Sequence, residues 1–145
     1  MTTRSTGSNP TGAVTGRSVN QTVALGFGAV YTLVAVLGFF VANTFADTED
    51  DKLLGIFEVN HLHNIVHLLI GLALLAASRR LDTARGANLA IGVTYLVVGL
   101  IGFFVEGTDA NILALNGADH WLHLLSGALL TAVAVLADKT ARARV

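Results

Sequence analysis

The sequence carries one apolar two-segment pattern twice, and this duplication limits the folds that are open to the chain. Five residues of the first copy recur 64 residues further on: Tyr31, Gly38, Phe39, Phe40 and Val41 as Tyr95, Gly102, Phe103, Phe104 and Val105. A second block recurs at a spacing of 56 residues: Asn60, His67, Leu68, Leu69, Gly71 and Leu74 as Asn116, His123, Leu124, Leu125, Gly127 and Leu130. The two spacings differ by 8 residues, which places an insertion in the acidic stretch 47–52. A repeated pair of helices predicts a pseudo-twofold bundle with repeated polar residues at matched depths.

Four stretches of the chain are apolar enough to cross a membrane. Hydrophobic residues make up 53% of the 145 residues and charged residues 13%, against roughly 25% charged in an ordinary soluble domain. About 20 apolar residues in a helix cover the roughly 30 Å hydrocarbon core of a bilayer. We therefore predict transmembrane helices near 23–45, 59–77, 89–105 and 120–137. The predicted fold class is an all-α integral membrane protein, a four-transmembrane-helix bundle built from two parallel-related helix hairpins, about 19–78 and 86–137.

Both termini are predicted to be cytoplasmic tails of this membrane domain, which covers residues 19–137. Residues 1–18 are rich in Ser, Thr, Gly and Asn and cannot bury enough apolar surface to fold, so we expect a disordered tail. A second tail is predicted over 138–145. Basic residues near the helix ends, except Lys52, fall on the side of the termini and the central loop: Arg4, Arg17, Arg79, Arg80, Arg85, Lys139, Arg142 and Arg144. The positive-inside rule places that side in the cytoplasm.

Small residues follow one face of each odd-numbered predicted helix. On helix one the face consists of Gly28, Tyr31, Ala35, Gly38 and Ala42, and on helix three of Gly92, Tyr95, Gly99, Gly102 and Glu106. No hydrophobic effect drives helices together in lipid, so close backbone approach over small residues supplies the contact. We predict that both faces are packing faces rather than cofactor-binding surfaces.

The polar residues that could carry chemistry lie on the even-numbered helices. One face of helix two carries Asn60, His63, His67 and Gly71, and the matching face of helix four carries Asn116, Asp119, His123 and Gly127. His67 lies about 18 Å and His123 about 22 Å from the cytoplasmic ends of their helices, inside the outer part of the hydrocarbon layer. An ionisable residue at that depth is expensive unless it has a partner, so it marks a candidate functional site.

Two readings of this site need no large cofactor. In the first, neutral His67 and His123 form a hydrogen-bonded structural cluster with neighbouring polar groups, and Asn60 and Asn116 are helix N-caps. In the second, His63, His67, Asp119 and His123 bind a divalent metal ion such as Zn or Cu(II), with Glu106 as an outer partner. His61 and His120 fit the shared face poorly and are predicted to lie at the membrane interface.

Two further readings remain open. His67 and His123 on facing helices could be the axial ligands of a haem, with Gly71 and Gly127 leaving room for the macrocycle. Alternatively, intramembrane histidines and carboxylates could relay protons or ions. No acidic residue occurs in the cytoplasmic half of any predicted span, so the sequence shows no continuous route for such a relay.

Composition excludes several other classes of function. The chain contains no cysteine, which excludes a disulfide framework, a thiolate metal site and a cysteine nucleophile. No phosphate-binding glycine loop is present, and a net charge of −1 argues against a nucleic-acid partner. We therefore expect a non-enzymatic protein whose main partner is the lipid bilayer, with a homo-oligomer still open. Its outward-facing His/Asn/Asp site is expected to be structural or ligand-binding.

The repeated motifs resemble those of a known family. The block Asn-x6-His-Leu-Leu-x-Gly at 60–71 and 116–127, preceded in each copy by Tyr-x6-Gly-Phe-Phe-Val, is similar to the bacterial four-helix membrane family called domain of unknown function 4383. The resemblance covers about residues 19–137. It implies a multi-pass protein of the bacterial plasma membrane, and it implies neither an activity nor any binding residue.

Overall fold

The computed structural model describes residues 16–47 and 51–139, and within them the regular secondary structure is helical apart from one short hairpin. The elements are α1 (Val19–Phe39), β1 (Lys52–Leu53), β2 (Phe57–Glu58), α2 (His61–Ala77), α3 (Leu81–Val105) and α4 (Gly117–Leu136). An all-helical fold with four helices is thus confirmed, with β1 and β2 as an antiparallel addition. Most of each predicted tail, 1–18 and 138–145, lies outside the described residues.

Three of the described helices, α1, α3 and α4, are each long and apolar enough to cross a membrane. The remaining helix, α2, is apolar too but shorter, at 17 residues. Length and composition therefore support membrane spans for three helices directly. The predicted fourth span corresponds to α2, which lies at the lower end of the roughly 17–25 residues that a spanning helix needs.

The boundaries of α1 and α3 differ most from the sequence prediction. The helix expected over 23–45 begins at Val19, behind a Ser18 capping box, and ends at Phe39. Asn43, in the segment that follows this end, donates its backbone N–H and its Nδ2 to the Asp51 carboxylate, both at 2.7 Å. The helix expected from 89 begins at Leu81. Its added turns are polar, and Arg85 Nε there donates to the carbonyl of Ala134 in α4 at 2.7 Å.

Small residues allow the helices to pack closely in two pairs, α1 with α2 and α3 with α4. A Cβ added to Gly71 would lie 2.5 Å from Thr32 Oγ1, and one added to Gly92 would lie 2.6 Å from Thr131 Oγ1. The predicted packing faces are confirmed by burial of Gly28, Tyr31, Ala35, Gly38, Gly92, Tyr95, Gly99 and Gly102. Glu106 departs from this pattern, because its side chain is exposed at the end of α3.

Two asparagines join the loops at the end of the bundle that carries β1, β2 and the N-termini of α2 and α4, the hairpin end. Asn60 Nδ2 donates to the carbonyl of Ile112, and Asn116 Nδ2 donates to the carbonyl of Ile56, both at 2.9 Å. Each asparagine also caps its own helix, as predicted: Asn60 Oδ1 accepts the N–H of His63 at 2.8 Å, and Asn116 caps α4 in the same way. Each asparagine side chain therefore both caps a helix and joins two loops.

Three polar residues connect α1, α3 and the segment after α4 at the opposite end of the bundle, the terminal end. The Asp138 carboxylate accepts the backbone N–H of Asn20 at 2.9 Å, Asn20 Nδ2 at 2.9 Å and the N–H of Val19 at 3.2 Å. Asn88 Nδ2 donates to the backbone oxygen of Asn20 at 3.0 Å. Because Asn20 and Asn88 are fully buried, the network ties these segments together inside the bundle.

We predict that Asp138 makes the stability of the protein depend on pH in the acid range. Partial burial alone would raise the pKa of Asp138, but the hydrogen bonds from Asn20 and Val19 outweigh it and hold the pKa below its usual value. The resulting stabilisation is complete above the unfolded-state value of about 3.9 and is lost as the pH falls through the folded-state pKa. Thermal unfolding in detergent should show this acid loss.

The loss should shrink in Asp138→Asn and persist in the control Asp109→Asn, which alters an exposed loop carboxyl. Equal acid profiles for the wild type and Asp138→Asn would contradict the assigned contact.

Candidate metal centre

Three histidines from two helices bring their rings together near the hairpin end. His63 and His67 lie one turn apart at the start of α2, and His123 lies in the second turn of α4. One ring nitrogen of each histidine lies within 4.8 Å of those of the other two. The ring centroids are 4.4 Å apart for His63 and His67 and 6.0 Å apart for the other two pairs. These residues are called the histidine cluster.

The histidine cluster is buried, and several of its nitrogens lack hydrogen-bond partners. His63 is 2% exposed, His123 is 4% exposed and His67 is half-buried. Three buried ring nitrogens have no partner in hydrogen-bond geometry within the described residues: Nδ1 and Nε2 of His63 and Nδ1 of His123. Buried polar groups in proteins are nearly always bonded, so unpartnered nitrogens call for an explanation such as a bound ion.

Backbone groups face the cluster from its outer side. The backbones of Glu58 and Leu113 interact with the His63 ring, and that of Asp119 with the His123 ring. Metal-ligating histidines usually direct the nitrogen that does not bind the ion at a carbonyl or carboxylate, which fixes the ring orientation. The surroundings of the two rings therefore suit a set of imidazole ligands.

Two tyrosines lie directly beneath the histidine cluster. The Tyr31 ring stacks on His67 at a centroid distance of 5.5 Å, and the Tyr95 ring meets His123 edge-on at 4.9 Å. The tyrosine rings are themselves 5.3 Å apart. Two turns further along α2 and α4, Leu74 and Leu130 are fully buried and make the core apolar. The cluster is therefore closed off by aromatic and aliphatic groups on the side of the terminal end.

Asp119, the fourth residue of the predicted ligand set, does not join the other three. Its Oδ2 accepts the backbone N–H of Asn116 at 3.2 Å and completes the capping box of α4. The group whose donor atoms meet contains the three histidines without it. The structure thus brings together three of the four predicted ligands, while the Asp119 carboxylate caps α4 instead.

His120, which was expected at the membrane interface, packs inside the bundle at the hairpin end. The residue is fully buried, and its Nε2 lies 3.0 Å from Oε2 of Glu106. The missing Cβ of Gly102 provides the room, since any Cβ there would clash with the imidazole. Glu106, predicted as an outer partner of the metal, therefore pairs with His120. His61 is half-buried and stacks on Phe39 at 5.8 Å.

The two glycines that were expected to make room for a haem are used in helix packing. Gly71 lies against the carbonyl of Gly28, and Gly127 lies against the carbonyl of Gly92. The third histidine and the two tyrosines also fill the space around His67 and His123. These residues do not provide the flat slot that a macrocycle needs.

A protein family described as a domain of unknown function (DUF4383) matches residues 21–136 of the chain. This range includes every residue of the histidine cluster, both asparagine caps and both tyrosines. No curated protein and no solved structure matches the chain.

Replacing His63 by Leu is predicted to leave the metal-free protein as stable as the wild type, or more stable. A buried polar side chain without partners costs roughly 1–3 kcal/mol, and an apolar side chain of similar size removes that cost. Asn60→Leu is the matched control, because both polar atoms of Asn60 are bonded. It should lose about 1–3 kcal/mol.

The measurement is equilibrium unfolding in mixed micelles after removal of metal with a chelator. If His63→Leu loses as much stability as Asn60→Leu, His63 has hydrogen-bond partners and the proposed vacancy of its nitrogens is wrong.

Proposed function

Because the chain belongs to the family described as domain of unknown function DUF4383, whose description names no activity, we propose its function from the histidine cluster itself. We propose that this is a multi-pass protein of the bacterial plasma membrane that binds one transition-metal ion through His63, His67 and His123. The observation that carries the proposal is the meeting of three imidazoles, two buried and one half-buried, whose ring nitrogens lie within 4.8 Å of one another. The ion would be held rather than used in catalysis.

The donor chemistry supports a metal ion. Neutral imidazole is the commonest metal ligand in proteins, and nitrogens bind zinc at about 2.0–2.1 Å. Three nitrogens around one ion at that distance lie about 3.5 Å apart, so a modest rotation of the rings would close the site. The competing structural reading needs hydrogen bonds to His63 and His123. The backbone groups of Glu58, Leu113 and Asp119 face these rings but, within the described residues, do not meet hydrogen-bond geometry with the nitrogens named above.

The proposed membrane architecture has four spans in two repeated hairpins. Its support is a set of contacts that recur at the sequence spacings of 64 and 56 residues. Gln21 of α1 donates to the Ser78 carbonyl at 3.1 Å, and Arg85 of α3 donates to the Ala134 carbonyl at 2.7 Å. The exchange of Asn60 and Asn116 between the two loops follows the same spacing. Such matched contacts are what a duplicated hairpin predicts.

The positive-inside rule supports an orientation in which the terminal end is cytoplasmic and the hairpin end, with the histidine cluster, lies outside. A reporter fused after Val145 should be active only if cytoplasmic, and the same reporter inserted near residue 50 should be active only if exported. An exported C-terminus would contradict the four-span arrangement.

Metal binding is tested on tag-free, metal-stripped protein incubated with Zn(II), Cu(II) or Cu(I), followed by desalting and elemental analysis. We expect about one ion per chain for the preferred metal. Affinity should fall more than about tenfold in each of His63→Leu, His67→Leu and His123→Leu, because each removes one ligand.

His61→Leu is the matched control, since His61 lies on the same helix outside the cluster. No retained metal of any kind, or retention that the three cluster variants do not reduce, would overturn the proposed function.

A further inference from the structure

We propose that the ion this site takes is monovalent copper, Cu(I), held by three imidazole nitrogens without a fourth ligand. The inference rests on the proposed metal-binding function and narrows it to one ion and oxidation state. Two properties of the site carry it: the number of donors that can reach the ion, and the charge that surrounds them.

The carboxylates near the histidine cluster make contacts with other residues. Asp119 accepts the Asn116 N–H, Glu106 pairs with His120, and Glu58 lies 3.8 Å from Lys52 across the hairpin. The metal-capable group found in the described residues therefore has three members, all histidines. Structural zinc sites need four ligands, and catalytic zinc sites add water to three. Zn(II) and Cu(I) are both closed-shell ions, but Cu(I) carries one charge less and is satisfied by three nitrogen ligands.

Water is a poor candidate for the missing ligand of a divalent ion. Beneath the cluster, the Tyr31 and Tyr95 rings lie in contact with two of the imidazoles. Both tyrosine hydroxyls are buried, and within the described residues neither meets hydrogen-bond geometry with a partner. The contacts of the two tyrosines with the imidazoles are made by their aromatic rings. A trigonal ion fits these surroundings better than an ion that must carry water.

The charge of the ligands also favours a monovalent ion. Three neutral imidazoles bring no negative charge, and the desolvation cost of an ion grows with the square of its charge, so a divalent ion costs roughly four times as much as a monovalent one. A monovalent ion therefore enters this set of neutral ligands at a lower desolvation cost than a divalent one.

Donor type alone would suggest a different ion, so the prediction is a sharp one. Sites without thiolate or thioether ligands usually favour divalent metals, and Cu(II) leads the affinity order among these. The chain has no cysteine, and its single methionine is Met1. If the type of donor atom determines the affinity, Cu(II) or Zn(II) binds most tightly. If the number of ligands and the charge determine it, Cu(I) binds most tightly.

The test uses the full chain, without a histidine tag, in lipid nanodiscs. Cu(I) is supplied anaerobically from a buffered complex with a colourless chelator of known affinity, and Cu(II) and Zn(II) are titrated separately with matched chelators. We expect one Cu(I) per chain, bound at least about tenfold more tightly than either divalent ion. X-ray absorption of the copper-loaded protein should show Cu(I) with three nitrogen neighbours.

His63→Leu, His67→Leu and His123→Leu should each abolish the three-nitrogen signal, while the control His61→Leu keeps it. Tighter binding of Zn(II) or Cu(II) than of Cu(I), lost in the same three variants, would overturn the copper inference and leave the proposed metal-binding function standing. Failure of all three ions to bind would overturn both. Circular dichroism of each variant establishes that a lost signal does not come from unfolding.

Discussion

The hairpin end of this protein depends on two asparagine side chains that each perform two tasks. The oxygen of Asn60 caps α2 through the N–H of His63, while its amide nitrogen crosses to the Ile112 carbonyl. Asn116 caps α4 and reaches back to the Ile56 carbonyl. Each helix therefore begins at a place fixed by the loop of the other hairpin. Since His63 and His123 lie within two turns of these caps, the caps also set where the imidazoles meet.

The bundle separates its polar groups into two layers with an apolar layer between them. The histidine cluster and its tyrosines occupy one layer, and the network of Asn20, Asn88 and Asp138 occupies the other. Leu74 and Leu130, both fully buried, lie between. Polar contacts fix which helices meet, while glycine contacts such as that of Gly28 with Gly71 fix how closely they approach. This division would suit a bundle in lipid, where apolar burial alone cannot select helix partners.

Properties that repeat along the sequence could be predicted, and properties that depend on one contact could not. Helical spacing identified the packing faces and the N-cap asparagines, and it placed His63, His67 and His123 on facing surfaces. The segment after α1, which ends at Phe39, is held by a contact of Asn43 with Asp51 inside the insertion, and the insertion has no counterpart in the second copy. The burial of His120 depends on the space at Gly102 in another helix, which helical periodicity within α4 cannot reveal.

Asp119 shows the same limit at the candidate site itself. Its position one turn before His123 suggested a ligand, but a carboxylate at the third position of a helix is also a capping group. In the structure, the Asp119 carboxylate accepts a hydrogen bond from the backbone N–H of Asn116. The sequence could not separate these two roles, because both require an acidic residue at the same place.

The asparagine crosslinks also bear on how fast the site can exchange its contents. His63 is 2% exposed beneath loops whose Leu53, Ala114 and Leu115 are buried, so the cluster is closed on its loop side. A solute could pass through that side only when the loops part and the two amide–carbonyl bonds break. The rate of exchange by this route would be set by the frequency of loop opening rather than by the equilibrium affinity. Occupancy in a cell would then record past exposure more than the momentary concentration outside.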